Sequence, residues 1–448
     1  MWVSDENAAL LTDLYELTMA ASYFSHGMNE TATFDLFVRN LPPDRNYLVA
    51  CGLDDALRYL EHFAFDDGAL DYLRSLEMFD DDFIRFLGDL RFTGEVRAIP
   101  EGELVFPGEP LLSVTAPLIE AQIVETFLLN CTNFQTLIAS KAARIAHACR
   151  DRTFVDFSPR RDHGTDAAMK VARASYIGGA AATSNVLAGR AYGIPVSGTM
   201  AHSYVMAFAH ELDAFRAFAA DFGERTTLLI DTYDVLQGAR HAVEVARECA
   251  QRGVRLRGVR LDSGDLEYFA REVRHILDEG GFPGMQIFAS SDLDEFVIDR
   301  VVAAGAPVDA FGVGTQLGVS GDAPALGGVY KLVEYAGGGR VKLSPGKATL
   351  PGRKQVYRVE SDGVCRYDIL SLEGEVVSEG RAVMERVMHT GRRTRPPEPL
   401  DVIRERCRTS RASLAPPLQS LHTAPEPYEV RLSPGLEAER ARAARSAG

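Results

Sequence analysis

The sequence predicts an α/β protein: a parallel, barrel-like array of strands and helices flanked by sheet-forming segments on both sides. Three observations lead there. Short apolar runs recur at 154–157, 196, 228–230, 257–261, 286–289 and 310–313, with helical patterns between them, as in a parallel array. Polar or glycine-rich clusters follow several of these runs directly. Before residue 115 and after Tyr330 the rhythm changes to alternating strands and Gly turns.

In chain order, residues 8–25 read as a helix and 31–38 as an alternating strand. Residues 54–90 read as helical and acidic, with Asp66-Asp67 and Asp80-Asp81-Asp82 as a solvated face. Residues 92–115, rich in Gly, Pro and alternating apolar positions, predict short strands. Residues 118–150 predict a long apolar helix, bent or broken near Cys131-Thr132-Asn133. Residues 173–193 predict a helix rich in small side chains, and 266–279 an amphipathic one. Residues 335–339 and 355–360 read as short strands, and the last fifteen or so residues, rich in Pro, Arg and Ala, as a flexible tail. The expected organisation is 1–135 as the first part of an α/β sandwich, 136–330 as the barrel, and 331–448 completing the sandwich.

Composition narrows the function classes. The 448 residues, 46% hydrophobic and 25% charged, suit a globular protein with an ample core. A net charge of −15 argues against a nucleic-acid binder, although local arginines can still reverse the field within a cleft. The six cysteines lack CxxC spacing, so neither a zinc site nor a disulfide framework is indicated. No run reaches bilayer-spanning length and the first residues lack a signal-peptide pattern, so the expected location is the cytoplasm, with no membrane partner.

The chemistry-bearing residues follow the strands. His202 comes after the Gly198-Thr199 turn, just beyond the run at 196. A histidine there serves as base, nucleophile or phosphate acceptor, or as a hydrogen-bonded structural residue. Asp262, Ser263 and Asp265 surround Gly264 after the run at 257–261. Two carboxylates so placed suit ribose hydroxyls or a hydrated Mg²⁺, and Asp265 equally suits a helix N-cap. Arg260, at a strand end, is costly unless it meets an anion. Gly312-x-Gly314-Thr315 lets backbone N–H groups approach an anion. With Arg160-Arg161 after the first run, four strand ends carry complementary polar chemistry. They point to one site for an anionic, phosphorylated substrate.

Several segments carry a resemblance: Leu11-Thr-Asp-Leu-Tyr-Glu-Leu-Thr-Met19, Phe157-Ser-Pro-Arg-Arg161, Gly198-Thr-Met-Ala-His-Ser203, Val259-Arg-Leu-Asp-Ser-Gly-Asp265, Phe311-Gly-Val-Gly-Thr315 and Gly328-Val-Tyr-Lys-Leu332. In this order they resemble the nicotinate phosphoribosyltransferases, within the wider nicotinate/nicotinamide phosphoribosyltransferase group. The resemblance implies the type II phosphoribosyltransferase architecture, an irregular TIM-like α/β barrel plus an α/β sandwich. It implies ATP-coupled, ligase-type transfer of phosphoribose from 5-phosphoribosyl 1-pyrophosphate (PRPP) to nicotinate, the first step of NAD synthesis from that acid. His202 would be the phosphohistidine and Thr199 would line the base pocket. Asp262 and Asp265 would face ribose and Mg²⁺. Ser263, Gly264, Gly312, Gly314 and Thr315 would take phosphates, and Arg160 and Arg161 pyrophosphate or carboxylate. Which of the two arginines faces inward is left open, because Pro159 constrains the turn before them. Phe157 and Tyr15 would sandwich the pyridine, with Arg260 on its carboxylate. Tyr15 matches the family position that reaches a neighbouring subunit, implying a homodimer with shared sites. From the residues alone, Phe157 and Tyr15 also fit core positions.

Two alternatives stand beside this reading. Nicotinamide phosphoribosyltransferases, which share the fold, use an aspartate between the arginine and histidine motifs, whereas 179–185 here contains no acid. A non-catalytic nucleotide-binding barrel would leave the His202, Asp262/Asp265 and Gly312/Gly314 combination without a role.

Overall fold

The computed structural model describes residues 3–446. The chain divides into two units, one of residues 1–137 with 325–448 and one of residues 138–324. The first boundary falls inside the helix Glu125–Cys149.

The unit of residues 138–324 is built on a six-stranded sheet. Its order is Ala182–Thr183, Thr153–Asp156, Ala310–Val313, Gln286–Ala289, Gly258–Leu261, Thr227–Leu229. Every pairing is parallel. Parallel strands are covered on both faces, which explains their largely apolar character: Val259, Leu261, Ile287, Phe311 and Val313 are all fully buried. The amphipathic helix expected after Asp265 is present as Leu266–Glu279.

Two elements here differ from expectation. The small-residue helix breaks into Thr165–Gly178 and Val186–Tyr192, with the edge strand Ala182–Thr183 between them. Gly178 packs so tightly that a Cβ would lie 2.5 Å from the Ala139 carbonyl oxygen, and Gly179 then ends the helix at φ +127°. Asn185 starts the next helix by accepting from the Ala188 N–H at 3.1 Å. Val196 is a single parallel bridge to Thr183 rather than a strand.

The other unit draws one sheet from both parts of the chain. Seven strands run Gly338–Gly339, Gly328–Tyr335, Thr31–Val38, Pro110–Pro117, Glu95–Ala98, Glu385–His389, Arg392–Arg393. Thr31–Val38 is antiparallel to both neighbours and buried almost throughout. Its Asp35 is compensated by the Lys354 ammonium at 2.7 Å. The acidic stretch forms three helices, Leu53–His62, Asp67–Ser75 and Asp81–Asp89. Asp66 and Asp80, read as solvated, are N-caps accepting from the Ala69 and Phe83 N–H groups. The long apolar helix breaks at Val124, between Leu118–Ile123 and Glu125–Cys149, and not at Cys131.

The expected flexible tail is instead the helix Pro434–Ser446. Leu436 and Ala443 are buried, and the Glu375 carboxylate holds the start by accepting from Ser433 Oγ at 2.6 Å and Gly435 N at 3.0 Å. Composition alone missed this anchor. Among the described residues no helix is long and apolar enough to cross a membrane.

Candidate active site

Arg260 is the centre of the site. It lies in the strand Gly258–Leu261 with its side chain 11% exposed. Its Nε donates to Ser290 Oγ at 2.7 Å, Nη1 to Thr199 Oγ1 at 3.1 Å, and Nη2 to Asp262 Oδ1 at 2.9 Å. The guanidinium carbon stands 5.4 Å from the centroid of Phe157. Nη1 also reaches the Met200 carbonyl oxygen at 3.5 Å, so four hydrogen bonds draw on the five N–H donors and at least one is left for an anion.

Phe157 follows the strand Thr153–Asp156 and is buried, its ring 5.5 Å from that of Phe288. The turn carrying it is anchored by the buried Asp156, which accepts from Ser158 N at 2.9 Å and from Thr183 Oγ1 at 2.8 Å. Burial pushes the Asp156 carboxyl up, against these hydrogen bonds. Gly312 leaves room for the ring pair, since a Cβ would lie 2.6 Å from Phe157 and 2.8 Å from Phe288.

His202 opens the short helix His202–Met206 and is 40% exposed. Its Nδ1 is 3.2 Å from Thr232 Oγ1, and its Nε2 is 3.6 Å from Asp262 Oδ2 and 4.0 Å from Asp231 Oδ1. Asp231 has a fully buried side chain whose Oδ2 accepts from Asp262 N at 3.0 Å and Ser263 Oγ at 2.6 Å. Its Oδ1 has no hydrogen-bond partner, and so presents a carboxylate oxygen on the side of the imidazole. Burial alone would raise the Asp262 carboxyl, but Arg260, the Ser290 hydroxyl and His202 outweigh it and hold the group below its usual range. A nucleophilic nitrogen thus faces two carboxylates, one of them tied to a cation. That set can orient an imidazole and balance positive charge developing beside it.

The fold therefore brings together Phe157, Thr199, His202, Arg260, Asp262 and Ser263. Asp265 has a different local role, as its Oδ1 accepts from the Glu267 and Tyr268 N–H groups and caps the helix Leu266–Glu279. Gly264 takes φ +78° in the same turn, where a Cβ would meet the Phe269 ring. Gly314 precedes the single helical turn Thr315–Gly318, and Thr315 is exposed. Arg160 and Arg161 are both exposed. Tyr15 belongs to the other unit, in the helix Leu14–Ser25, and is 46% exposed.

Sequence reading missed Asp231, Thr232 and Ser290. Their signal was the one used elsewhere: apolar runs end at Ile230 and Ala289, and polar turns follow at once. The Asp231–Asp234 turn resembles an ordinary helix start because Asp234 does cap the next helix, accepting from Gln237 N at 2.7 Å. A cavity of about 280 Å³ lies among the first residues of the parallel strands, including Thr153, Thr227 and Gln286, with Thr199 in its wall.

Comparison with known proteins identifies the family. Residues 10–133 match the nicotinate phosphoribosyltransferase N-terminal domain, and residues 152–320 match the nicotinate phosphoribosyltransferase family. The chain is 50% identical over 443 residues to nicotinate phosphoribosyltransferase pncB2 of Mycobacterium tuberculosis, covering 99% of this chain and 95% of that protein. It is 46% identical over 397 residues to the nicotinate phosphoribosyltransferase of Bacillus subtilis, covering 86% and 81%. The crystal structure of human nicotinic acid phosphoribosyltransferase superposes with a TM-score of 0.87 at 30% identity, covering 96% of this chain and 99% of that one. Matches that span both units show that the chain belongs to the nicotinate phosphoribosyltransferase family.

Proposed function

We propose that this protein transfers the phosphoribosyl group of PRPP to nicotinate, forming nicotinate mononucleotide and pyrophosphate, with ATP hydrolysis coupled through phosphorylation of His202. The observation that carries the reading is the environment of Arg260, a nearly buried guanidinium with a donor to spare, beside an aromatic face and a threonine hydroxyl. Phe157 and Arg260 suit a flat pyridine ring bearing a carboxylate. The pyridine nitrogen attacks C1 of the ribose as the bond to pyrophosphate breaks, and Asp262 stabilises the positive charge that develops at that carbon. In the coupled step the terminal phosphoryl group of ATP passes to a ring nitrogen of His202 and ADP leaves. Water later releases the phosphate.

Mg²⁺ fits as the counter-ion of the polyphosphates. Among the described residues no three His, Cys, Asp or Glu side chains form a resident metal site. A polyphosphate-borne Mg²⁺ needs only one or two protein carboxylates, and Asp231, whose buried Oδ1 lacks a partner, and Asp262 are the residues that would hold it. Gly312, Gly314, Thr315, Arg160 and Arg161 remain the candidates for phosphate and pyrophosphate. In this reading the active unit is a cytoplasmic homodimer in which Tyr15 reaches a neighbouring site.

Nicotinamide is disfavoured as substrate because residues 179–185 supply no carboxylate for an amide N–H. A charged hydrogen bond from Arg260 is worth roughly 1.5–3 kcal/mol to the acid, so kcat/KM for nicotinate should exceed that for nicotinamide by at least tenfold, and Arg260→Leu should erase the preference. Equal kcat/KM for acid and amide would refute the base assignment. Incubation with γ-labelled ATP should place acid-labile phosphate on the protein and none on a folded His202→Ala variant. Label retained by that variant would assign the phosphate to another residue.

A further inference from the structure

Ser290 follows the strand Gln286–Ala289 and is 3% exposed. Its backbone N–H is fixed to the Leu261 carbonyl at 2.7 Å. Its hydroxyl accepts from Arg260 Nε at 2.7 Å and donates to Asp262 Oδ1. Asp262 Oδ1 also accepts from Arg260 Nη2 at 2.9 Å, so guanidinium, hydroxyl and carboxylate close a three-membered ring of hydrogen bonds. The following residue, Ser291, stands at φ +132°, a region costly for a residue with a Cβ. That strain is retained at the turn which holds Ser290 between the two charges.

An Arg and a carboxylate this close ordinarily pair through two parallel N–H···O bonds, from Nε and Nη2 to both carboxylate oxygens. Ser290 occupies Nε and prevents this. The carboxylate then keeps Oδ2 toward His202 Nε2 at 3.6 Å, and the guanidinium keeps Nη1 toward Thr199 at 3.1 Å. We infer that Ser290 is a positioning residue that sets selectivity for the acid: by holding Arg260 Nε, it stops Arg260 from collapsing onto Asp262 and leaves the remaining guanidinium donor for the pyridine carboxylate. The inference rests on the reading of Arg260 as the carboxylate partner.

The test is steady-state kinetics of Ser290→Ala, Ser290→Cys and Ser290→Thr in the full-length enzyme, with nicotinate and nicotinamide. Losing a hydrogen bond to a charged group should raise KM for nicotinate about tenfold and lower the acid-to-amide ratio of kcat/KM by a similar factor. KM for PRPP should change less than about twofold. Ser290→Cys, close in size but a weak hydrogen-bonding partner, should show the same loss and stands in if the Ala variant fails to fold. Ser290→Thr, which keeps the hydroxyl, should restore both values. Unchanged KM and selectivity in a folded Ala or Cys variant would overturn the inference, as would a folded Thr variant that fails to restore them. Arg260→Leu separates the two levels. If it too keeps nicotinate selectivity, the base-pocket reading fails. If it loses selectivity while the Ser290 variants keep it, only the role of Ser290 fails.

Discussion

Asp262 and Asp265 stand three residues apart in one turn and have different partners. Asp262 is tied to Arg260 and Ser290 and faces His202, whereas one oxygen of Asp265 closes the first turn of a helix. Because the folded pKa of Asp262 lies below the ordinary value, its contribution to stability is complete above the usual carboxylate range. That contribution is lost only as the pH falls through the depressed value, so the group stays charged at neutrality. Asp262→Asn is therefore expected to lower kcat by on the order of 10²-fold while keeping a cooperative thermal transition. Asp265→Ala should cost about 1 kcal/mol of stability through the lost cap, read as a fall in Tm. A normal kcat in Asp262→Asn would reduce that carboxylate to a structural partner of Arg260.

At the scale of elements, two predictions concern how helices and strands are packed. Glu16, in the helix Leu14–Ser25, is fully buried and accepts from the Thr126 N–H at 3.1 Å and from the Thr12 and Thr126 hydroxyls. Burial pushes its carboxyl up to about 7, the Thr12 and Thr126 hydrogen bonds oppose the shift, and the Glu125 charge adds to it. A carboxyl raised on folding binds more protons in the native state. Stability is therefore full below the unfolded value of about 4.3 and declines as the pH rises to about 7. Glu16→Gln should remove that decline, so its Tm should differ less between pH 5 and pH 8 than that of the parent. An unchanged pH dependence would show that other groups carry it. In the strand Ala310–Val313, Gly312→Ala should cost about 1–3 kcal/mol by overpacking, because the new methyl meets both Phe157 and Phe288. It should also raise KM for nicotinate, and a normal KM would place Phe157 outside the base pocket.

At the scale of the whole molecule, the shared-site proposal makes a genetic prediction. Tyr15 and Asp262 belong to different units, and Tyr15 is nearly half exposed on an amino-terminal helix. Co-expressed Tyr15→Ala and Asp262→Asn subunits, each strongly impaired alone, should form mixed dimers with one complete site. Up to about half of the parental activity per mixed dimer is expected if the sites act independently. Mixed dimers confirmed by mass but without activity would place Tyr15 in its own chain's site or core.

The α/β class and five of the six parallel strands were readable from the sequence because covered strands are largely apolar runs, and polar turns at their ends interrupt that signal. His202, Arg260 and Asp262 were readable for the same reason, whereas the roles expected of Phe157 and Thr199 came from the family resemblance. Local pattern could not decide which side chains of adjoining turns would converge. Asp231 and Ser290 enter the site only because the sheet sets Thr227–Leu229 beside Gly258–Leu261 and that strand beside Gln286–Ala289. Asp265 sits in the same motif as Asp262, yet one of its oxygens is turned to the helix start. The tail helix, the extra strand at Ala182–Thr183 and the role of Gly312 likewise depend on contacts between residues distant in the chain. Propensity and periodicity act over a few residues, whereas the partners of a buried hydroxyl or carboxylate are fixed by which strands become neighbours, and that is decided only when the chain folds.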